Sequence, residues 1–249
     1  MAARTTMGRT RWLLRQPGPE SAARLFALPY SGCGASMYRR WPRTVGGMEI
    51  CPVQPPGRES RIRETPFERY DELADAMIDA LAPYLDRPFG FFGHCGSALA
   101  AYETAVRLTA RGGPLPACVF VSSQVAPQRG PYGSYLTMND EQLAEELCRL
   151  IRHMGGEPIP DLVELCLGVM RADVRANAVY HVPSPAPLSC RLTVLGWADD
   201  TNVRPELTEG WEECGPATYR LLPGDHFRFL DAPPELMDVF AADLGAKEE

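Results

Sequence analysis

Three side-chain types in this chain could together open an activated carbonyl: a thiol, an imidazole and a carboxylate. Phe89-Gly90-Phe91-Phe92-Gly93-His94-Cys95-Gly96-Ser97-Ala98 reads as strand, tight turn and helix, with small residues two places before and after Cys95. That spacing lets the backbone turn sharply and holds the central side chain above the sheet at a helix N-terminus. The pattern is G-x-C-x-S, and by itself it equally describes a buried thiol in a sharp turn. Asp199 and Asp200 follow the apolar run at Leu192–Leu195, and His226 follows a second run ending at Leu222. An imidazole beside a thiol promotes the thiolate, and a carboxylate behind the imidazole fixes its tautomer. The competing reading is a solvated Asp pair and a surface histidine. The placement of all three groups at strand ends weighs against it.

Such groups need a scaffold, and short apolar runs alternating with amphipathic segments supply one. Strands are expected at Arg24–Leu28, Met48–Val53, Phe89–Phe92, Cys118–Ser122, Leu192–Leu195 and Tyr219–Leu222, each bounded by Gly or Pro. Leu73, Met77, Leu81 and Leu85 make one apolar stripe on a helix over Tyr70–Leu85. An alanine-rich helix is expected over Ser97–Arg111, stopped by Gly112-Gly113. The fold class is therefore α/β, a mostly parallel central sheet flanked by helices. From Gln128 to Pro187 the alternation breaks. Asp140–Arg152 reads as a helix with acidic residues early and arginines late, and Asp161–Tyr180 as one or two more. We read this stretch as a helical lid over the site, within a single domain spanning 1–249.

Composition narrows the function. The 249 residues are 45% hydrophobic and 23% charged, too apolar for a disordered chain. A net charge of −7 argues against nucleic acid as the main partner, since neutralising phosphates needs a basic face. No apolar run reaches the roughly 18 residues that span a bilayer, and Met1–Arg15 lacks the apolar stretch of a signal peptide. The eight cysteines are scattered, without C-x-x-C or His/Cys clusters, so reduced thiols, a cytoplasmic location and no metal are expected. His153 and His181 have no evident partner, and a reversible Cys33–Cys95 disulfide is a minor alternative.

Nucleophile, acid and histidine come in the chain order of α/β-hydrolases. Leu28-Pro29-Tyr30-Ser31-Gly32, Trp41, Gln54-Pro55-Pro56-Gly57-Arg58, Met154-Gly155-Gly156, Arg171-Ala172-Asp173 and Leu222-Pro223-Gly224-Asp225-His226-Phe227 carry a closer likeness. From about Trp12 to Leu230 the sequence resembles the type II thioesterases of polyketide and nonribosomal peptide biosynthesis. The resemblance implies an α/β-hydrolase fold with a lid at about 128–187. It implies a triad of Cys95, Asp200 and His226, with Asp200 preferred to Asp199 because the family's D-P-x-V continues as Asp200-Thr201-Asn202-Val203. Backbone N–H groups of Ser31 and Gly96 would form the oxyanion hole, and Arg39, Arg40 and Arg58 would help dock an acidic carrier protein. The substrate would arrive on that partner's phosphopantetheine, so no cofactor of its own is expected, and the chain would act as a monomer.

Two motifs depart from the family. Its G-H-S-M-G-A is here Gly93-His94-Cys95-Gly96-Ser97-Ala98, and its P-H-A-G-G is Pro29-Tyr30-Ser31-Gly32-Cys33. Glycine at position 96 is expected to loosen the oxyanion hole. An acyl group on Cys95 would remain a thioester, open to water, another thiol or an amine. Hydrolysis ranks first, acyl or aminoacyl transfer second, and a non-catalytic carrier-binding module third.

Overall fold

Short apolar runs with no polar alternation suit strands covered on both faces, and the central strands are buried along their whole length. The computed structural model describes residues 10–245; the first nine residues of the N-terminal stretch read above lie outside them. Seven strands, β1 (Ala23–Ala27), β2 (Thr44–Val45), β3 (Met48–Pro52), β4 (Phe89–His94), β5 (Cys118–Ser122), β6 (Arg191–Trp197) and β7 (Ala217–Leu222), form one sheet. Their order is β2-β3-β1-β4-β5-β6-β7, and all neighbours run parallel except β2 and β3. All six expected strands are present. The two-residue edge strand β2 is additional, too short and too exposed to leave an apolar run. Within β4, Gly90 is forced, because a Cβ there would stand 2.7 Å from the Cys118 carbonyl oxygen.

The described residues form five α-helices: α1 (Tyr70–Leu81), α2 (Gly96–Ala110), α3 (Asp140–His153), α4 (Pro160–Val179) and α5 (Pro234–Leu244). The α1 segment tightens into a 3-10 turn at Ala82–Tyr84, since Pro83 has no N–H to continue the α ladder. Of the expected stripe, Met77, Leu81 and Leu85 are buried and Leu73 is half-buried against the same core, and Tyr70, Ala74 and Ile78 widen the buried face. Asn139 and Gln142 cap α3 reciprocally. Proline opens α4, which runs unbroken where one or two helices were expected. The sequence reading passed over α5, although its buried Leu236, Met237, Phe240 and Leu244 have helical spacing. Phe240 packs on Trp41, Phe92 and Phe120 under the sheet. None of the helices among the described residues is long and apolar enough to cross a membrane.

Helices α3 and α4 lie between β5 and β6 and share a small core of Leu143, Leu147, Leu167 and Met170. That core presses on the loop after β1. Gly32, at φ 76°, would place a Cβ 2.8 Å from Leu147 and 3.2 Å from Met170. A buried ion pair ties the same contact. Arg58 Nη2 lies 2.8 Å from Asp173 Oδ1 of α4, its Nη1 donates to the Cys33 carbonyl at 2.9 Å, and Asp173 Oδ2 accepts from Gly32 N at 2.9 Å. Arg58 is only 6% exposed, which corrects its expected place in a carrier-docking face. Its guanidinium instead joins the helical insertion to the β1 and β3 loops.

Asp173→Ala would leave that guanidinium buried without its carboxylate. We expect a loss of about 3 kcal/mol in urea unfolding, most of it recovered when Arg58→Met is added. A loss near zero would mean that the pair holds nothing together.

Candidate active site

The backbone between β4 and α2 turns through Cys95 at φ 56° and ψ −132°, outside the regions an L-residue ordinarily occupies. Two neighbours make that corner possible. At Gly93 a Cβ would lie 2.1 Å from the Ser97 carbonyl oxygen. Ser97, where a glycine was the expected type, closes the turn with its hydroxyl: it donates to His94 O and accepts from His94 N, both at 3.0 Å. Cys95 N continues the β4–β5 ladder by donating to Ser122 O at 2.8 Å. The thiol therefore stands half-exposed at the N-terminal end of α2.

Asp200 sits just past β6 and is saturated. Its Oδ1 accepts from Asn202 N and Val203 N at 2.8 and 2.9 Å. Its Oδ2 accepts from Ser123 Oγ at 2.7 Å and lies 2.8 Å from His226 Nδ1. Burial raises this carboxyl's pKa, but the His226 partner and the other donors more than reverse that and hold it below the ordinary range. Asp199 points to solvent, so the structure brings Asp200 and not Asp199 to the histidine. Asp225 is exposed and accepts from Phe227 N.

His226 is buried. Burial pulls its pKa down, yet its hydrogen bonds to Asp200 and Cys95 raise it to about 9. A second imidazole lies alongside: His94 meets His226 edge to face at 4.6 Å and stacks on Phe229 at 4.0 Å, ring centre to ring centre. Burial, and then the neighbouring His226, push His94 well below the usual histidine range, which keeps it neutral. Ser122 Oγ accepts from Trp197 Nε1 at 3.0 Å and pairs with His94 Nδ1 at 2.8 Å. Beyond the expected triad, Tyr30 Oη lies 3.3 Å from His226 Nε2 and 3.0 Å from Tyr135 Oη.

Beside Cys95 lies a cavity of about 20 Å³, lined among others by Tyr30, Ser31, Gly96, Tyr135, Asn177 and His226. That holds roughly one water. Ser31 and Gly96 thus line the same cavity as Cys95. Glycine at 96 has a steric reason: a Cβ there would meet Tyr70 Oη at 2.9 Å and Ser31 Oγ at 3.4 Å. On the far side of Gly32, a mostly apolar cavity of about 430 Å³ opens between α3, α4 and the 32–39 loop. Arg39 and Arg40 are exposed, Arg40 paired with Asp231 at 2.6 Å. His153 and His181 are exposed, and all eight cysteines are free, Cys33 and Cys95 included. Among the described residues no group of three His, Cys, Asp or Glu side chains is placed to hold a metal.

Ser123, Tyr30 and Tyr135 were not anticipated. The signal for Ser123 was its place just after a parallel strand, where ligands and catalytic groups gather. Tyr135 had no signal, because its contact depends on how the insertion folds back.

The thioesterase-domain family profile matches residues 23–244. The chain belongs to the thioesterase family. It is 33% identical over 232 residues to the thioesterase PikA5 of Streptomyces venezuelae, covering 88% of this chain and 80% of that one. Among solved structures, the RedJ thioesterase from the prodiginine pathway of Streptomyces coelicolor superposes with a TM-score of 0.77 at 35% identity, covering 90% of this chain and 91% of that one. BorB, the type II thioesterase from the borrelidin biosynthetic cluster, gives 0.79 at 30%, covering 93% and 97%. The mostly parallel sheet with flanking helices is thus the α/β-hydrolase fold of a thioesterase.

The raised pKa of His226 gives this thioesterase a pH signature. A folded imidazole that holds its proton more tightly than an unfolded one, with a pKa of about 6.5, stabilises the fold fully below that value. The contribution fades as pH rises through about 9. In urea unfolding the gap between wild type and His226→Gln should narrow across that window; a constant or widening gap contradicts the assignment.

Proposed function

We propose that this thioesterase hydrolyses acyl groups from the phosphopantetheine arm of carrier proteins in polyketide or nonribosomal peptide assembly. Cys95 is the nucleophile, His226 the base and acid, and Asp200 the group that orients His226. The observation that carries this reading is His226, hydrogen-bonded to Asp200 through Nδ1 and lining the same small cavity as Cys95.

The steps follow from that geometry. Cys95 gives its proton to His226 Nε2 and Sγ attacks the thioester carbonyl. The oxyanion is met by the N–H groups of Ser31 and Gly96. The tetrahedral adduct collapses, the pantetheine sulfur leaves with the proton from His226, and the acyl group rests on Cys95. Water then gives a proton to His226, attacks the acyl carbon and releases a carboxylic acid, and Cys95 recovers the proton. The first transfer, thioester to thioester, is nearly thermoneutral; hydrolysis makes the sequence run forward. The family match runs through the insertion as well as the site, which supports water as acceptor over a second pantetheine thiol or an amine. The insertion must shift to admit the acyl arm.

Arg39 and Arg40 remain the proposed contacts for an acidic carrier, both lying on the surface beside the insertion. Reversing their charge should weaken turnover of carrier-bound substrates and spare small acyl-pantetheine thioesters. Equal losses on both would remove the docking role.

Intact-protein mass spectrometry with acyl-pantetheine thioesters tests the chemistry. Wild type should show an acyl adduct that decays to free acid, and Cys95→Ala should show none, with turnover down on the order of a thousandfold or more. An adduct stable until a thiol or amine is added would make the enzyme an acyltransferase. Turnover that survives in Cys95→Ala would overturn the nucleophile.

A further inference from the structure

The steps above leave one buried hydroxyl at the base without a role. Tyr30 Oη stands between His226 Nε2 and Tyr135 Oη. Tyr135 belongs to the short turn Ser134–Thr137 at the start of the helical insertion. Its side chain packs both on the core around Tyr30 and on the insertion's own core of Leu143, Leu147, Leu167 and Met170. A chain of polar atoms therefore runs from the base to the insertion.

Counting protons gives that chain two states. His226 Nδ1–H is committed to Asp200, so Nε2 is a bare acceptor in the neutral ring and a donor in the imidazolium. Beside a neutral ring, Tyr30 donates to Nε2. Beside an imidazolium, Nε2–H points at the thiolate and at Tyr30 Oη, and Tyr30 must send its own proton to Tyr135. Without Tyr135, that second state buries a hydroxyl proton with no acceptor, whereas the first loses only the use of a lone pair. An unsatisfied buried donor is the costlier of the two.

We propose that Tyr30 is a positioning residue for His226 and that Tyr135 couples it to the insertion, so that the reactive thiolate–imidazolium pair forms preferentially when the insertion is seated. The inference rests on the Cys95–His226 reading above. The other polar groups facing His226 are Asp200 after β6, Cys95 in the elbow and His94 on β4. None of these is on the insertion. Asp173 of α4 lines the same cavity, and Arg58 neutralises it.

The test is the pH dependence of Cys95 alkylation by iodoacetamide, followed at the Cys95 peptide by mass spectrometry. Tyr135→Phe should slow alkylation near neutral pH roughly tenfold and move its midpoint up by about one unit. In a Tyr30→Phe background the same substitution should change nothing, because the chain is already cut. A Tyr135→Phe profile that matches wild type, or an equal shift in both backgrounds, overturns the coupling alone. A wild-type profile identical to that of His226→Ala would remove the Cys95–His226 pair and this inference with it.

Discussion

One residue held at a positive φ sets the position of every other group in the site. Cys95 stands between β4 and α2, and only a turn too tight for ordinary residues puts it there. Strain of this kind persists only where the surroundings over-determine it. Here Gly93 has no room for a side chain, Ser97 bonds both backbone groups of His94, and Cys95 N is held by Ser122. The sheet fixes the corner, and the corner fixes where a base must come from.

Behind that corner lies a buried polar cluster of an unusual kind, two imidazoles in contact. A pair of adjacent histidines could not both be charged at low cost in a dry interior. The molecule separates them by environment. His226 gains a carboxylate with all its lone-pair directions occupied, and His94 gains only a hydroxyl and an aromatic face. One ring is thereby kept basic and the other neutral, at a centre-to-centre distance of 4.6 Å.

Much of this was legible in the sequence because it depends on local pattern. Apolar runs between glycines marked the strands, and their C-terminal ends pointed to Cys95, Asp200 and His226. Arg58 was misplaced because its partner Asp173 is distant in sequence and sits on the insertion. Tyr30 and Tyr135 escaped for the same reason: their contact is made by folding α3 and α4 back over the loop after β1. Helix α5, by contrast, had a readable apolar spacing that the strand-centred reading passed over.

Glycine at 96 and Tyr70 share one small volume, the hydroxyl standing 2.9 Å from where a Cβ would be. The resembling family carries methionine at that place, so the two elbows are not one exchange apart. A methionine entering alone would collide with a phenol whose ring packs against Tyr180, 5.3 Å away. A smaller residue at 70 entering alone would leave a hole beside Gly96. Positions 70 and 96 are therefore coupled, and an elbow carried from one enzyme into the other brings its neighbours as conditions.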